Sequence, residues 1–124
     1  MRKNGFEKTQ EEIFQERAEI LYHTGDKLSK ALDRLKAIEE EIDAKLDILR
    51  ESLNSGLEKD CHELFKETNR EIRKYNKARE HAKLRYYYLI VTREAMGFRR
   101  HKWVDEIYKI PPKKERLKRL HEPV

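Results

Sequence analysis

Residues 46–58, LDILRESLNSGLE, decide how this chain folds. Leucine and isoleucine recur at helical spacing up to Leu53, stop at Asn54-Ser55-Gly56, and resume at Leu57. Ser55 followed by Glu58 is the S-x-x-E pattern of a capping box ahead of a new helix. A break this short between two long helices makes an antiparallel hairpin. The chain is therefore expected to be all-α.

Working back from the break, the apolar stripe is Leu28, Leu32, Leu35, Ile38, Ile42, Leu46, Leu49 and Leu53. Its mean step is close to 3.6, the period of a straight helix and not of a tight coiled coil. The stripe predicts a helix over about 27–53. Before it, Phe6, Ile13 and Ile20 lie seven apart, with Phe14 and Leu21 beside them, and predict a helix over about 6–23. Thr24-Gly25-Asp26 lies between the two. Gly25 could close one helix while Asp26 caps the next, or Gly25 could sit inside a longer helix at a cost of about 1 kcal/mol.

Working forward, a helix is predicted over about 57–96, a rod of roughly 60 Å. Its stripe includes Leu57, Cys61, Leu64, Thr68, Ile72, Tyr75, Arg79, Ala82, Tyr86, Leu89, Arg93 and Met96. The middle is polar, because Thr68, Tyr75 and Arg79 stand where aliphatics are expected. Arg79 and Arg93 either pair with acids of the facing helix, which is the main expectation, or lie at a site that binds an anion. From Leu84 a second apolar face opens with Tyr87, Tyr88 and Val91, so this part needs cover on two sides. That cover would come from the 6–23 helix and from a fourth helix over about 98–110, after a C-cap at Gly97. The tyrosines then belong to the core of a three-helix head. Pro111-Pro112 ends the fourth helix. Residues 1–112 thus form one elongated helical domain, and 113–124 a basic, loose tail.

The composition fits this shape. Apolar residues are 37% and charged residues 43%, so the core is thin and the solvated faces are wide. The net charge of +5 is uneven. Residues 1–78 carry 16 Lys/Arg against 18 Asp/Glu, whereas residues 79–119 carry 13 against 5. The basic C-terminal third suits an acidic partner, anionic lipid or nucleic acid. The single cysteine, Cys61, allows no internal disulfide and fits a reducing compartment. No stretch approaches the ~18 apolar residues of a membrane span. The N-terminus has charge where a signal peptide needs an apolar region. The expectation is a cytoplasmic protein.

Enzyme chemistry finds little support. The residues three before each histidine are Ile20, Lys59, Ala78, Phe98 and Lys118, so the Glu-x-x-His pattern of di-iron bundles is absent. No H-E-x-x-H, P-loop or G-x-S-x-G occurs, and no metal, cofactor or catalytic residue is assigned. Cys61 lies on the apolar stripe, where a thiol is inert. Arg17 and His23 match the loose Arg-x(4–6)-His spacing of HEPN-type helical ribonucleases, in which an Arg holds a phosphate while a His moves a proton. So loose a spacing arises by chance in an Arg-rich chain, and no membership is read from it.

The main expectation is a non-enzymatic helical interaction or scaffold module. A lone hairpin buries little, so a homodimer pairing two stalks into a four-helix bundle is expected. The alternative is a non-specific nucleic-acid-binding accessory protein, and a third reading is a helical ribonuclease of the HEPN sort. The candidate contacts for the alternative are Arg93, Arg99, Arg100, Lys102, Lys113, Lys114, Arg116, Lys118 and Arg119.

Overall fold

The computed structural model describes residues 5–56 and 58–118, with side chains from 9–56 and 61–118. Two long helices, α1 (Gly5–Asn54) and α2 (Glu58–Ala95), pack against each other as an antiparallel hairpin. A short α3 (Lys102–Ile107) follows. No strand occurs among the described residues.

The seam follows the periodicity from Leu28 to Leu49, whereas Leu53, expected in the stripe, is 49% exposed beside the turn. Leu28, Leu35, Ile38, Ile42 and Leu49 of α1 are buried, facing Cys61, Ile72, Tyr75, Ala82 and Leu89 of α2. Leu32 and Leu46 pack partly buried beside them. Burial of one such aliphatic side chain contributes about 1.5–3 kcal/mol. Thr68 occupies a fully buried stripe position because its hydroxyl donates to the Leu64 carbonyl of its own helix, 2.7 Å away.

The helices expected at about 6–23 and 27–53 are one helix of 50 residues. The side chains that were to cap a break bond within the helix instead. The Thr24 hydroxyl donates to the Ile20 carbonyl at 2.8 Å, and the Asp26 carboxylate pairs with Lys30 one turn on at 2.9 Å. Gly25 is helical, and the Tyr108 hydroxyl lies 3.4 Å from where its Cβ would be.

At the turn, the Ser55 hydroxyl donates back to the Glu51 carbonyl at 2.8 Å. Ser55 thus completes α1 instead of capping α2, and Gly56 turns the chain at φ +74°. Leu57 and the side chain of Glu58 lie outside the described residues.

The fourth helix, expected over about 98–110, is only six residues long. Before it, 98–101 is held as a loop. After it, the chain leaves helical geometry at Tyr108, whose N–H bonds the Val104 carbonyl. The head is correspondingly smaller than expected. Leu28, Leu89 and Val104 form its buried centre, with Leu21, Tyr86, Ile90 and Tyr108 around them. Leu84, Tyr87, Tyr88 and Val91 stay exposed, because α1 and α3 cover one side of α2 and the second apolar face points away from both.

Because α1 is 50 residues and α2 38, α1 runs on past the hairpin, and residues 9–20 are exposed throughout.

Gly25 is thus a helix-interior glycine with room for a methyl group, whereas Gly97 sits at φ +95°, where an L side chain is strained. Gly25→Ala is expected to stabilise the protein by about 0.5–1 kcal/mol and Gly97→Ala to destabilise it by about 1 kcal/mol. Urea unfolding followed by circular dichroism measures both; destabilisation by Gly25→Ala would contradict the unbroken helix.

Candidate functional site

Beyond α3 the chain does not trail away. Residues 111–118 lie extended along α2 as a strap, held by three side chains of α2. Asn76 makes both hydrogen bonds that an amide can offer a peptide unit: its Nδ2 donates to the Lys114 carbonyl at 2.8 Å, and its Oδ1 accepts from the Lys114 N–H at 2.9 Å. Asn69 does the same for Leu117, at 3.1 and 2.7 Å. The Arg79 Nε donates to the Pro111 carbonyl at 2.7 Å.

The spacing is geometric. Asn69 and Asn76 are seven residues apart, a rise of about 10.5 Å on a helix. Lys114 and Leu117 are three residues apart, about 10 Å of extended chain. Two helical turns thus present amides in register with every third strap residue. Pro111-Pro112 lock φ near −65° and start the strap extended.

Ile110 and Leu117 pack on the hairpin core. Lys114 crosses to α1, where its ammonium lies 3.2 Å from a Glu39 carboxylate oxygen, and it covers the Tyr75 ring at 5.0 Å. The polar middle of the α2 stripe is therefore the strap's seat. Burial, and secondarily the Glu39 charge, push the Tyr75 hydroxyl pKa above its ordinary value, with Arg79 opposing.

A second knot fixes the head. Arg93 is buried, and its guanidinium lies 4.7 Å from the Phe98 ring centroid and 4.8 Å from that of Trp103. Its Nε donates to His101 Nδ1 at 3.2 Å and its Nη2 to the Arg100 carbonyl at 3.1 Å. The other His101 nitrogen meets Glu94 at 3.2 Å; because Nδ1 accepts from Arg93, Nε2 carries the proton and donates. The expectation that Arg79 and Arg93 pair with acids of the facing helix is corrected. The carboxylate of Arg79 belongs to its neighbour Glu80, at 3.2 Å, while two aromatic faces and a carbonyl take up the charge of Arg93.

The candidate contact residues divide accordingly. Arg93 is enclosed and orders the 98–101 loop. Arg99, Arg100 and Lys102 are exposed around that loop. Lys113, Lys114, Arg116 and Lys118 are gathered by the strap. They line a cavity of about 560 Å³ together with Arg73, Asn69 and Asn76, and Glu115 is its one carboxylate. Arg119 lies outside the described residues. Arg73, Asn69 and Asn76 escaped the sequence reading, because an Arg or Asn on a polar helix face carries no sign of a partner some forty residues away.

No cluster of three or more potential metal ligands occurs among the described residues. Cys61 is buried. Arg17 and His23, six residues apart on an unbroken helix, stand about 120° apart around its axis and do not face one site. No described helix is long and apolar enough to cross a membrane.

The chain matches no protein-family model, no curated protein and no solved structure.

Asn76→Ala is expected to lose about 1–3 kcal/mol and to speed hydrogen exchange at the Lys114 and Leu117 amides more than at Leu35. Unchanged exchange at Lys114 would show that the amide pair does not hold the strap. The Tyr75 hydroxyl contributes a pH dependence of definite sign. Its folded pKa is raised, so the unfolded chain releases this proton first, and stability falls as pH rises through the ordinary tyrosine value of 10.0 towards the folded one. Between about pH 8 and about pH 11, Tyr75→Phe is expected to lose less stability than wild type in urea titrations.

Proposed function

We propose that this protein is a non-enzymatic helical interaction module that acts in the cytoplasm and self-associates into a four-helix or larger bundle. One observation carries the reading: the core-facing stripe of α1 continues past the end of α2 with no other described element packed on it. Ile13, Phe14 and Ile20 are 41, 65 and 50% exposed. At the same end, Leu84, Tyr87 and Val91 form an exposed apolar face on α2. Exposed apolar surface at helical spacing marks a contact site.

Charge favours a second copy as the occupant. Residues 9–23 carry four Glu against one Arg. The region around the α2 face carries Arg85, Arg99, Arg100 and Lys102. The acidic overhang of one copy therefore complements the basic head of another, and the reverse contact is identical. Such a two-fold contact closes and covers both apolar patches, with four helices side by side where the copies overlap.

Light scattering is expected to give twice the 15.1 kDa chain mass, and Ile13→Glu with Phe14→Glu to return it to one chain. A wild-type mass of one chain at high protein concentration would end this reading.

A second reading, a non-specific nucleic-acid-binding accessory protein, is favoured by the gathering of Lys113, Lys114, Arg116 and Lys118 beside Arg73.

A further inference from the structure

On the side of α2 away from the strap, the hairpin carries a second basic surface. Its bank on α1 is Lys27, Lys30 and Arg34, and its bank on α2 is Lys74, Lys77, His81 and Arg85. Between them lies an open groove of about 530 Å³, whose floor is Ala31 and Ala78. Among the described residues no carboxylate lines it. Lys27, Arg34, Lys77 and His81 make no ion pair among the described residues. Lys30 pairs with Asp26 at 2.9 Å and Lys74 with Glu71 at 4.0 Å. In both pairs the lysine side chain is more than half exposed, at 76% and 54%, so its ammonium can turn from the carboxylate to a phosphate.

The shape of this surface selects its ligand. The cations extend over about 16 Å of α2 and about 10 Å of α1. They form a track and do not converge on one point, so a linear polyanion fits and a single phosphate does not. The alanine floor lets a thin chain settle between two helix ridges but offers no apolar grip to an acidic helix. Insertion into a lipid surface would need large apolar side chains among the cations, and the groove has none. At about 3.4 Å per nucleotide the track spans about four or five nucleotides, within the range of single-strand sites. At its upper end Arg85 lies 6.0 Å from the ring of Tyr88, which is 45% exposed, so a stacking face adjoins the track.

We propose that the α1–α2 groove binds single-stranded nucleic acid through its phosphate backbone, with Lys27, Arg34, Lys77 and Arg85 as principal contacts and Tyr88 stacking on a base. The proposal rests on the nucleic-acid reading above and moves its site from the basic C-terminal third to the hairpin. The α1 bank lies in a part of the chain whose net charge is negative, so only the folded hairpin assembles the surface.

The test is fluorescence anisotropy of a labelled single-stranded RNA of about 12 nucleotides at about 50 mM salt and above. Wild type is expected to bind with log K falling against log salt at a slope of about −2 to −4, the signature of three to five phosphates on a single strand. Arg34→Glu with Lys77→Glu is expected to weaken binding at least about tenfold and to flatten the slope by about 1–2. Lys113→Glu with Lys118→Glu is expected to stay within about threefold of wild type. Lys27→Ala and Lys77→Ala, single changes at exposed positions, are expected to show the same order on a smaller scale, and circular dichroism checks that every variant is folded. Groove variants that bind like wild type, or strap variants that lose more than groove variants, overturn the groove assignment while leaving the nucleic-acid reading intact. Absence of wild-type binding, or binding to phosphatidylserine vesicles and not to the oligonucleotide, overturns both.

Discussion

The pairing of Asn69 and Asn76 with the strap backbone is the interaction on which the rest of the structure depends. A two-helix hairpin has one seam and no second layer, so half of each helix is open to water. Here the missing layer is an extended segment. An extended chain carries unpaired N–H and C=O groups along its length, and these must find partners where it is covered. A side-chain amide supplies one donor and one acceptor at peptide geometry, so each asparagine satisfies one strap residue completely. With the backbone satisfied, Ile110 and Leu117 can pack on the core and Lys114 can reach from Tyr75 to Glu39.

This arrangement explains why the middle of the α2 stripe is polar. Thr68 satisfies itself, Arg79 holds the Pro111 carbonyl, and Tyr75 offers its ring to Lys114. None of them is a flaw in an aliphatic seam. At the head, Arg93 has the corresponding task. Its planar guanidinium lies against two aromatic rings and still donates along its edge to His101 and the Arg100 carbonyl, which a lysine ammonium cannot do. The loop so ordered aims the chain through α3 towards its place on α2.

Covering one side of the hairpin leaves the other bare, and this asymmetry frames the functional readings. The strap side is closed by hydrogen bonds between α2 side chains and the strap backbone. The opposite side keeps a groove with cations on both banks, and the end beyond α2 keeps an apolar stripe exposed among the described residues. The two surfaces differ in chemistry and adjoin at Arg85.

The sequence by itself determined what depends on local period and local sterics. The stripe from Leu28 to Leu49, the turn at Gly56 and the C-cap at Gly97 were all legible, because helix periodicity and positive φ are written within a few residues. Tertiary structure decided the rest. Thr24-Gly25-Asp26 is equally compatible with a break and with a continuous helix, and Tyr108, eighty residues on, packs against the helical form. Asn69 and Asn76 look like ordinary polar surface until residues 48 and 38 positions away lie beside them. The groove joins cations of α1 to cations of α2 forty or more residues on, a juxtaposition that no window along the chain contains. Partners of this sort are set by where the backbone returns, and the return path is fixed by packing and not by the residues at either end.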